Sequence, residues 1–94
     1  MIRLVWSTQA QRELLDIADH YDAIDPTLAN EIVERVETAV SPLLDFPRLG
    51  VIVDRLGARK WCVPHTPFIL LYDVAGDRIE VLSVSHERSD WANP

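Results

Sequence analysis

The chain has 94 residues, of which 48% are hydrophobic and 26% charged, and its formal net charge is −6 at pH 7. This composition indicates one small globular domain with a single core. No run of residues approaches the ~20 apolar positions that span a membrane, and the first residues turn polar too early for a signal peptide. We therefore expect a single domain over residues 1–94 that makes no membrane contact.

The acidic charge lies in the first half of the chain. Residues 1–45 hold nine Asp/Glu and three Lys/Arg, whereas residues 46–94 hold six of each. The chain therefore lacks the basic footprint of a general nucleic-acid binder, although a local basic surface could exist in the second half. The single cysteine, Cys62, cannot form an internal disulfide, which agrees with a cytoplasmic location. We interpret it as a small residue packed in a strand.

The first half of the chain is predicted to form one strand and two helices. Ile2 to Trp6 is a short apolar run typical of a strand, and Thr8 and Gln11 have the spacing of a capping box at a helix start. Two apolar stripes at helical spacing follow, separated by Asp25-Pro26, which suits the start of the second helix. The first stripe contains Ala10, Leu14, Leu15, Ile17, Ala18, Tyr21 and Ile24; the second contains Leu28, Ile32, Val33, Val36, Ala39, Val40 and Leu43.

The short break between the two stripes predicts an antiparallel helical hairpin. Pro42 would clash with the carbonyl of Thr38 in a continuous helix, so Ser41-Pro42 either restarts a short helical piece or ends the helix. Residues 46–50 are predicted to form a turn, and the segment that follows, up to Gly57, a loop.

The second half is predicted to form three strands. Arg59–Val63 alternates charge and bulk, and Phe68–Val74 and Arg78–Val84 are rich in β-branched and aromatic residues. The last two runs flank a three-residue turn in which Gly76 can adopt a positive φ, and they predict an antiparallel hairpin. Both faces of Phe68–Val74 are apolar, which indicates a central strand covered at least partly on both sides.

The predicted order is thus strand, helix, helix and three strands. The helical stripe needs an apolar surface to cover, and the sheet provides one, so the fold class is α+β, with a helical hairpin on one face of an antiparallel sheet. The first strand can join this sheet beside a later strand, although the sequence does not determine which one. Alternation within the last strand places Ile79 and Val81 on one face and Leu82 and Val84 on the other.

Several motifs together resemble the ParE/RelE superfamily of toxins from type II toxin–antitoxin modules, a group associated with plasmid stabilisation. They occur in the order and spacing of that family and cover nearly the whole chain. They are Ala10-x-x-Glu13-Leu14-x-x-Ile17-x-x-x-Tyr21, Phe46-Pro47-x-Leu49-Gly50, Arg59-x-Trp61-x-Val63, Leu71-Tyr72-Asp73-Val74, Gly76-Asp77-x-Ile79-x-Val81-Leu82 and His86-x-Arg88-x-Asp90.

The resemblance implies the predicted fold and one of two activities. ParE-like toxins inhibit DNA gyrase, and RelE-like toxins cleave mRNA on the ribosome. Both are neutralised by an antitoxin. RelE-like enzymes carry an arginine on the central strand, at the position that matches Ile69 here, and an aliphatic side chain cannot stabilise an anionic transition state. The family's closing basic cluster is reduced to His86 and Arg88, with acids interleaved.

The resemblance therefore favours an inhibitory ParE-like toxin that binds gyrase and a cognate, ParD-like antitoxin, with no cofactor, metal site or catalytic residue. Two alternatives remain: an mRNA endonuclease, or a decayed toxin that binds only its antitoxin. An endonuclease would have to use His86, Arg88, Arg59 and Lys60. The predicted partner-binding residues are Arg59, Lys60, Trp61, Arg88 and Trp91, although solvated charge at a strand edge is an alternative interpretation of the Arg59-Lys60 pair.

A domain of this size with two apolar sheet faces and one helical pair has more apolar surface than it can cover. We expect one sheet face, displaying either Phe68, Leu70 and Tyr72 or Ile69 and Leu71, to stay partly bare. An antitoxin segment would fill it, as a helix in a groove or as an added strand.

Overall fold

The order of helices and strands follows the apolar patterns of the sequence, with one additional short strand. The computed structural model describes residues 2–53 and 57–87. Its elements are β1 (Arg3–Trp6), α1 (Thr8–Asp22), α2 (Pro26–Ala39), α3 (Ser41–Asp45), β2 (Val51–Val53), β3 (Ala58–Cys62), β4 (Phe68–Ala75) and β5 (Arg78–His86). The described helices include none that is long and apolar enough to cross a membrane.

The five strands form one sheet in the order β1-β5-β4-β3-β2. β1 pairs parallel with β5, and the other neighbours are antiparallel. The α+β class and the central place of β4 are confirmed. The loop predicted up to Gly57 is wrong at Val51–Val53, because these three residues pair with β3 as an edge strand.

The two long helices begin at polar caps. Ser7, and not Thr8, caps α1: its hydroxyl accepts a 3.0 Å hydrogen bond from the Ala10 amide and donates one of 2.9 Å to the Leu82 carbonyl, which ties the helix start to β5. The predicted capping box was therefore wrong by one residue. Asp25 caps α2 as predicted, with its carboxylate accepting a 3.0 Å hydrogen bond from the Thr27 amide.

Pro42 marks the start of a short separate helix. α2 ends at Ala39, and α3 restarts at Ser41, as one of the two alternatives predicted. The restart aims Leu43 into the core, where it is fully buried beside Tyr72 and Ile79.

The helices cover one face of the sheet. Their buried side chains pack against strand residues of that face in one main cluster, formed by Ala10, Ile32, Val36, Ala39, Val40, Val63, Phe68, Leu70, Val81 and Val84. On the opposite face a smaller cluster joins Val53, Ala58 and Leu71, with Leu82 packed against it. The expected bare face is wrong for Phe68, Leu70 and Tyr72, since Leu70 is 0% exposed. On the other face Leu71 is 7% exposed and Ile69 is half-buried, so that face is partly bare at Ile69 alone.

A β-bulge in β5 changes which residues face the helices. Leu71 pairs with Ser83 and Tyr72 pairs with Val81, so Leu82 is the additional residue. A bulge shifts the alternation by one position, and Val84 consequently shares the helix-side cluster with Val81. The prediction that these two valines lie on opposite faces was wrong for this reason.

The β4–β5 hairpin is tighter and longer than predicted. Ala75 pairs with Arg78, which leaves Gly76 and Asp77 as the loop in place of three residues. Gly76 has the positive φ expected of it, at 61°. β5 continues to His86, two residues past the predicted end.

Candidate partner-binding site

The five residues predicted to bind a partner fall into two groups. Arg59, Lys60 and Trp61 are consecutive on β3. Arg88 and Trp91 lie outside the described residues, and so does Asp90 of the His86-x-Arg88-x-Asp90 motif.

β3 is flanked by strands on both sides at Arg59 and Lys60. Lys60 pairs with Val51 of β2 and with Leu71 of β4, and Arg59 lies between the same two strands. The alternative interpretation of this pair as charge at a sheet edge was therefore wrong, because the unpredicted β2 forms the edge instead. The Lys60 side chain itself is exposed.

The guanidinium of Arg59 binds the backbone of the turn before β2. Its Nη1 donates to the carbonyl of Gly50 at 2.8 Å and to that of Arg48 at 3.1 Å. A charged donor shared by two carbonyls is a strong restraint on the path of a turn.

The hydroxyl of Tyr72 binds the same turn from inside the core. It donates a 2.7 Å hydrogen bond to the Pro47 carbonyl and accepts one of 2.9 Å from the Gly50 amide, while the residue is 0% exposed. Burial raises the pKa of this phenol above its usual value of 10.0, against the opposing influence of the Gly50 amide and the Arg59 charge. Tyr72 thus fixes the turn as well as filling the core.

Gly50 leaves no room for a side chain. A Cβ at this position would lie 2.6 Å from the Tyr72 hydroxyl and 2.7 Å from the Lys60 carbonyl oxygen. The Phe46-Pro47-x-Leu49-Gly50 motif therefore has a structural basis, since its glycine lets the turn approach β3 and β4.

Trp61 connects β3 to the end of α2. Its indole Nε1 donates a 2.8 Å hydrogen bond to the Ala39 carbonyl, and its ring packs against the helix-side core. The half-buried ring also lines a groove of about 630 Å³ between α2 and the β3–β4 connection. Across this groove Arg35 Nη1 donates a 3.2 Å hydrogen bond to the carbonyl of His65, a residue with a positive φ of 62°.

A second groove, of about 700 Å³, lies between β1, α1 and α2. It is mostly apolar and is lined by Leu4, Val5, Trp6, Gln11, Leu14, Leu15, Ala18, Val33 and Glu37. Leu15 belongs to the stripe predicted to face the core, yet it is 64% exposed. Helical spacing alone could not show that this end of the stripe borders an open groove.

Most of the exposed apolar surface lies elsewhere. Among the described residues, eight large hydrophobic side chains are exposed, and five of them fall within residues 44–52. They are Leu44, Phe46, Leu49, Val51 and Ile52. The sequence predicts a turn and a loop from residue 46 onward, and the apolar side chains of this stretch were not predicted to form a surface.

Comparison with known protein families matches residues 4–91 to the ParE toxin of type II toxin–antitoxin systems, parDE. The chain belongs to the ParE toxin family. It is 30% identical over 89 residues to a protein of Sinorhizobium fredii (strain NBRC 101917 / NGR234) named "Putative toxin Y4kP", covering 95% of this chain and 92% of that protein. Its fold is similar to a chain of a solved structure described as "Chromosomal ParDE TA system from P. aeruginosa", with a TM-score of 0.81 and 27% identity over 92% of this chain and 96% of that one.

In this ParE-family chain, two of the residues that an endonuclease would have to use, Arg59 and His86, lie far apart. Arg59 pairs with Tyr72 and His86 pairs with Phe68, four residues apart on β4. This spacing separates them by about 13 Å along the strand. The ring of His86 lies edge-on to that of Phe68 at 6.0 Å.

The position that matches the endonuclease arginine also lacks a cation. Ile69 is half-buried on β4, between Cys62 of β3 and Ser85 of β5.

Cys62 is exposed, so its interpretation as a packed strand residue was wrong. Within residues 2–53 and 57–87, His, Cys, Asp and Glu form no group of three that could hold a metal ion.

Proposed function

We propose that this ParE-family toxin acts by binding and inhibiting DNA gyrase, that it is no ribonuclease, and that a cognate ParD-like antitoxin neutralises it in the cytoplasm. The observation that carries the choice between the two toxin activities is the surface around Ile69. Transfer of a phosphoryl group within RNA needs a proton acceptor and cations close to the phosphate. Here an aliphatic side chain occupies the central strand position that the endonuclease branch fills with arginine.

The distribution of charge supports the same choice. The chain carries a net charge of −6, and binding to a ribosomal site rich in phosphate groups would have to overcome this repulsion. Lys60, the nearest basic residue of the described sheet, pairs with Leu71 and so lies about 10 Å along β4 from the level of His86, which pairs with Phe68. A toxin that acts by binding does not need basic side chains and a proton acceptor close together.

The groove between β1, α1 and α2 is the site that we assign to the antitoxin. Its walls are apolar, with Leu14, Leu15, Ala18 and Val33 from the helices and Val5 from the edge strand. An amphipathic helix of a partner would bury its apolar face here, and β1 offers an open strand edge beside it. The similarity to a solved ParDE system supports a partner of this kind.

Two assays on one preparation of toxin test the proposed target. Purified toxin should inhibit supercoiling by gyrase or trap the enzyme on cleaved DNA at micromolar concentration. In a translating extract, primer extension on the translated message should reveal no new cuts. Codon-specific cuts that disappear in His86→Ala would assign the chain to the endonuclease branch.

Failure of both assays would have a different meaning. If gyrase and mRNA are both unaffected while the antitoxin still binds, the chain is a decayed toxin that has kept only its antitoxin contacts. The cognate antitoxin, to be sought first in the reading frame directly upstream and purified separately, should relieve any inhibition of gyrase.

A further inference from the structure

The segment of residues 44–52 carries most of the exposed apolar side chains of the described structure. The largest exposures in it are Phe46 at 66%, Val51 at 62%, Ile52 at 54% and Leu49 at 49%. Monomeric domains rarely expose contiguous apolar surface without a use for it, so a patch on one short segment marks a binding surface.

The backbone of this segment is held more firmly than that of an ordinary surface turn. Tyr72 and Arg59 together make four hydrogen bonds to the backbone of residues 47–50. The turn is thus fixed from inside while its apolar side chains point outward. Rigidity of this kind lowers the entropy lost on binding and favours a surface that is ready for a partner.

β2 adds an open strand edge to the same surface. It is the last strand in the sheet order and is paired on one side, with β3, in the described structure. Val51 and Ile52 are adjacent on this strand and therefore point to opposite faces of the sheet, and both are exposed. Such an edge accepts an extended segment of another protein through backbone hydrogen bonds, with apolar side chains packing alongside.

The charge around the segment indicates the chemistry of the partner. Residues 44–53 and 57–60 hold three Lys/Arg and one Asp, a net charge of +2, whereas the rest of the chain holds six Lys/Arg and fourteen Asp/Glu, a net of −8. Arg48 and Lys60 are exposed within the basic stretch. A partner segment with acidic groups among its apolar residues would therefore be complementary to this surface.

We propose that the 44–52 segment is the surface through which this toxin binds its target protein, by adding an extended, apolar and acidic segment of that target to β2. This inference rests on the proposed function as a toxin that acts by binding. A second copy of the chain fits less well, because a symmetric β2–β2 contact would set two surfaces of the same positive charge against each other. A nucleic acid fits less well because the exposed side chains are mostly apolar.

The antitoxin groove and the 44–52 segment lie at opposite edges of the sheet. β1 borders the groove, and β2 is separated from β1 by three strands. Four strand spacings amount to about 19 Å. Substitutions in one surface should therefore leave the other intact.

The test compares Ile52→Glu and Lys60→Glu with the control Ile24→Glu, which changes an isoleucine of similar exposure far from β2 in sequence. Each variant is expressed alone to measure growth arrest and with the antitoxin to measure co-purification. Ile52→Glu and Lys60→Glu should each need about tenfold more protein to arrest growth, while the control matches the unchanged chain and all three still bind the antitoxin. Phe46→Ser, on the turn, replaces Ile52→Glu if that variant fails to melt cooperatively.

The outcomes separate the two proposals. An unchanged chain that does not arrest growth would remove the toxin function and this inference with it. Full toxicity in both charged variants would overturn the inference alone. Loss of antitoxin binding in Ile52→Glu would assign the surface to the antitoxin. A dimer of the unchanged chain that dissociates in Ile52→Glu would assign it to a second copy. Binding of transfer RNA that Lys60→Glu abolishes would assign it to nucleic acid. Each of these three results contradicts the proposal.

Discussion

The amide of Gly50 and the hydroxyl of Tyr72 are joined by a buried 2.9 Å hydrogen bond, and a Cβ at position 50 would lie 2.6 Å from that hydroxyl. The two residues are 22 positions apart in sequence. Their contact connects the turn before β2 to the centre of the sheet, and it makes both residues necessary for the position of the 44–52 segment.

Gly50→Ala should be strongly destabilising. The added methyl would meet the Lys60 carbonyl oxygen at 2.7 Å as well as the phenol, and backbone cannot move aside as easily as a side chain. We expect a loss of about 3 kcal/mol in the free energy of unfolding, measured by urea denaturation. Gly76→Ala is the matched control: it meets nothing within 4 Å, but its φ is 61°, so it should cost only about 1 kcal/mol. Equal costs for the two substitutions would contradict this account.

The phenol of Tyr72 should make stability fall at high pH. Because burial raises its pKa in the folded state above 10.0, the folded protein binds more protons than the unfolded chain in the interval above that value. Stability is then complete below pH 10 and decreases as the pH rises toward the folded pKa. Ionisation also removes the proton that Tyr72 donates to the Pro47 carbonyl.

Thermal melts of the unchanged chain and of Tyr72→Phe between pH 8 and 11 measure this effect. Tyr72→Phe should be less stable at pH 8 by about 1–3 kcal/mol, because the buried Gly50 amide loses its acceptor. Above pH 10 the difference between the two proteins should shrink, since the variant lacks the titrating group. Parallel stability curves of the two proteins over the whole pH range would show that the pKa of the phenol is the same in the folded and the unfolded state.

His65 is held in a conformation that suits glycine better. Its φ of 62° lies in the left-handed region, and it sits in the connection between β3 and β4. His65→Gly should therefore raise stability by about 0.5–1 kcal/mol, whereas His65→Ala should give no such gain because alanine keeps the Cβ clash. The Arg35 contact uses the His65 carbonyl and is available in both variants. A gain in His65→Ala equal to that in His65→Gly would show that loss of the imidazole, and not relief of the backbone, is responsible.

The sequence predicted those elements whose signal is local. The β4–β5 hairpin follows from two β-branched runs around Gly76, and α2 follows from Asp25, Pro26 and an apolar stripe of four turns. β2 was missed because three residues carry too little periodicity to be distinguished from a loop. The bulge at Leu82 was missed because the sequence of β5 alone does not show that β4 has one residue fewer over the paired stretch.

The candidate site was less predictable than the fold. Arg59 and Trp61 were identified as residues of interest, but their hydrogen bonds to Gly50 and Ala39 depend on contacts between distant parts of the chain. Tyr72 was predicted as a core residue, which is correct, and its hydroxyl contacts could not be inferred without the position of the turn. The exposure of Leu15 likewise depends on how far α2 covers α1, which helical spacing does not determine.

Two side chains of nearly equal exposure on the same helical hairpin test the antitoxin groove. Leu15 is 64% exposed and lines the groove between β1, α1 and α2, whereas Ile24 is 66% exposed and lies after α1, outside the residues that line this groove. A carboxylate at either position meets solvent in the isolated chain, so neither Leu15→Asp nor Ile24→Asp should change the free energy of unfolding by more than about 0.5 kcal/mol. In the complex, Leu15→Asp would place a charge against the apolar face of the antitoxin segment and weaken binding by at least about tenfold. Titration of the purified antitoxin against each variant by calorimetry measures this, and equal affinities for the two variants would move the antitoxin site away from this groove.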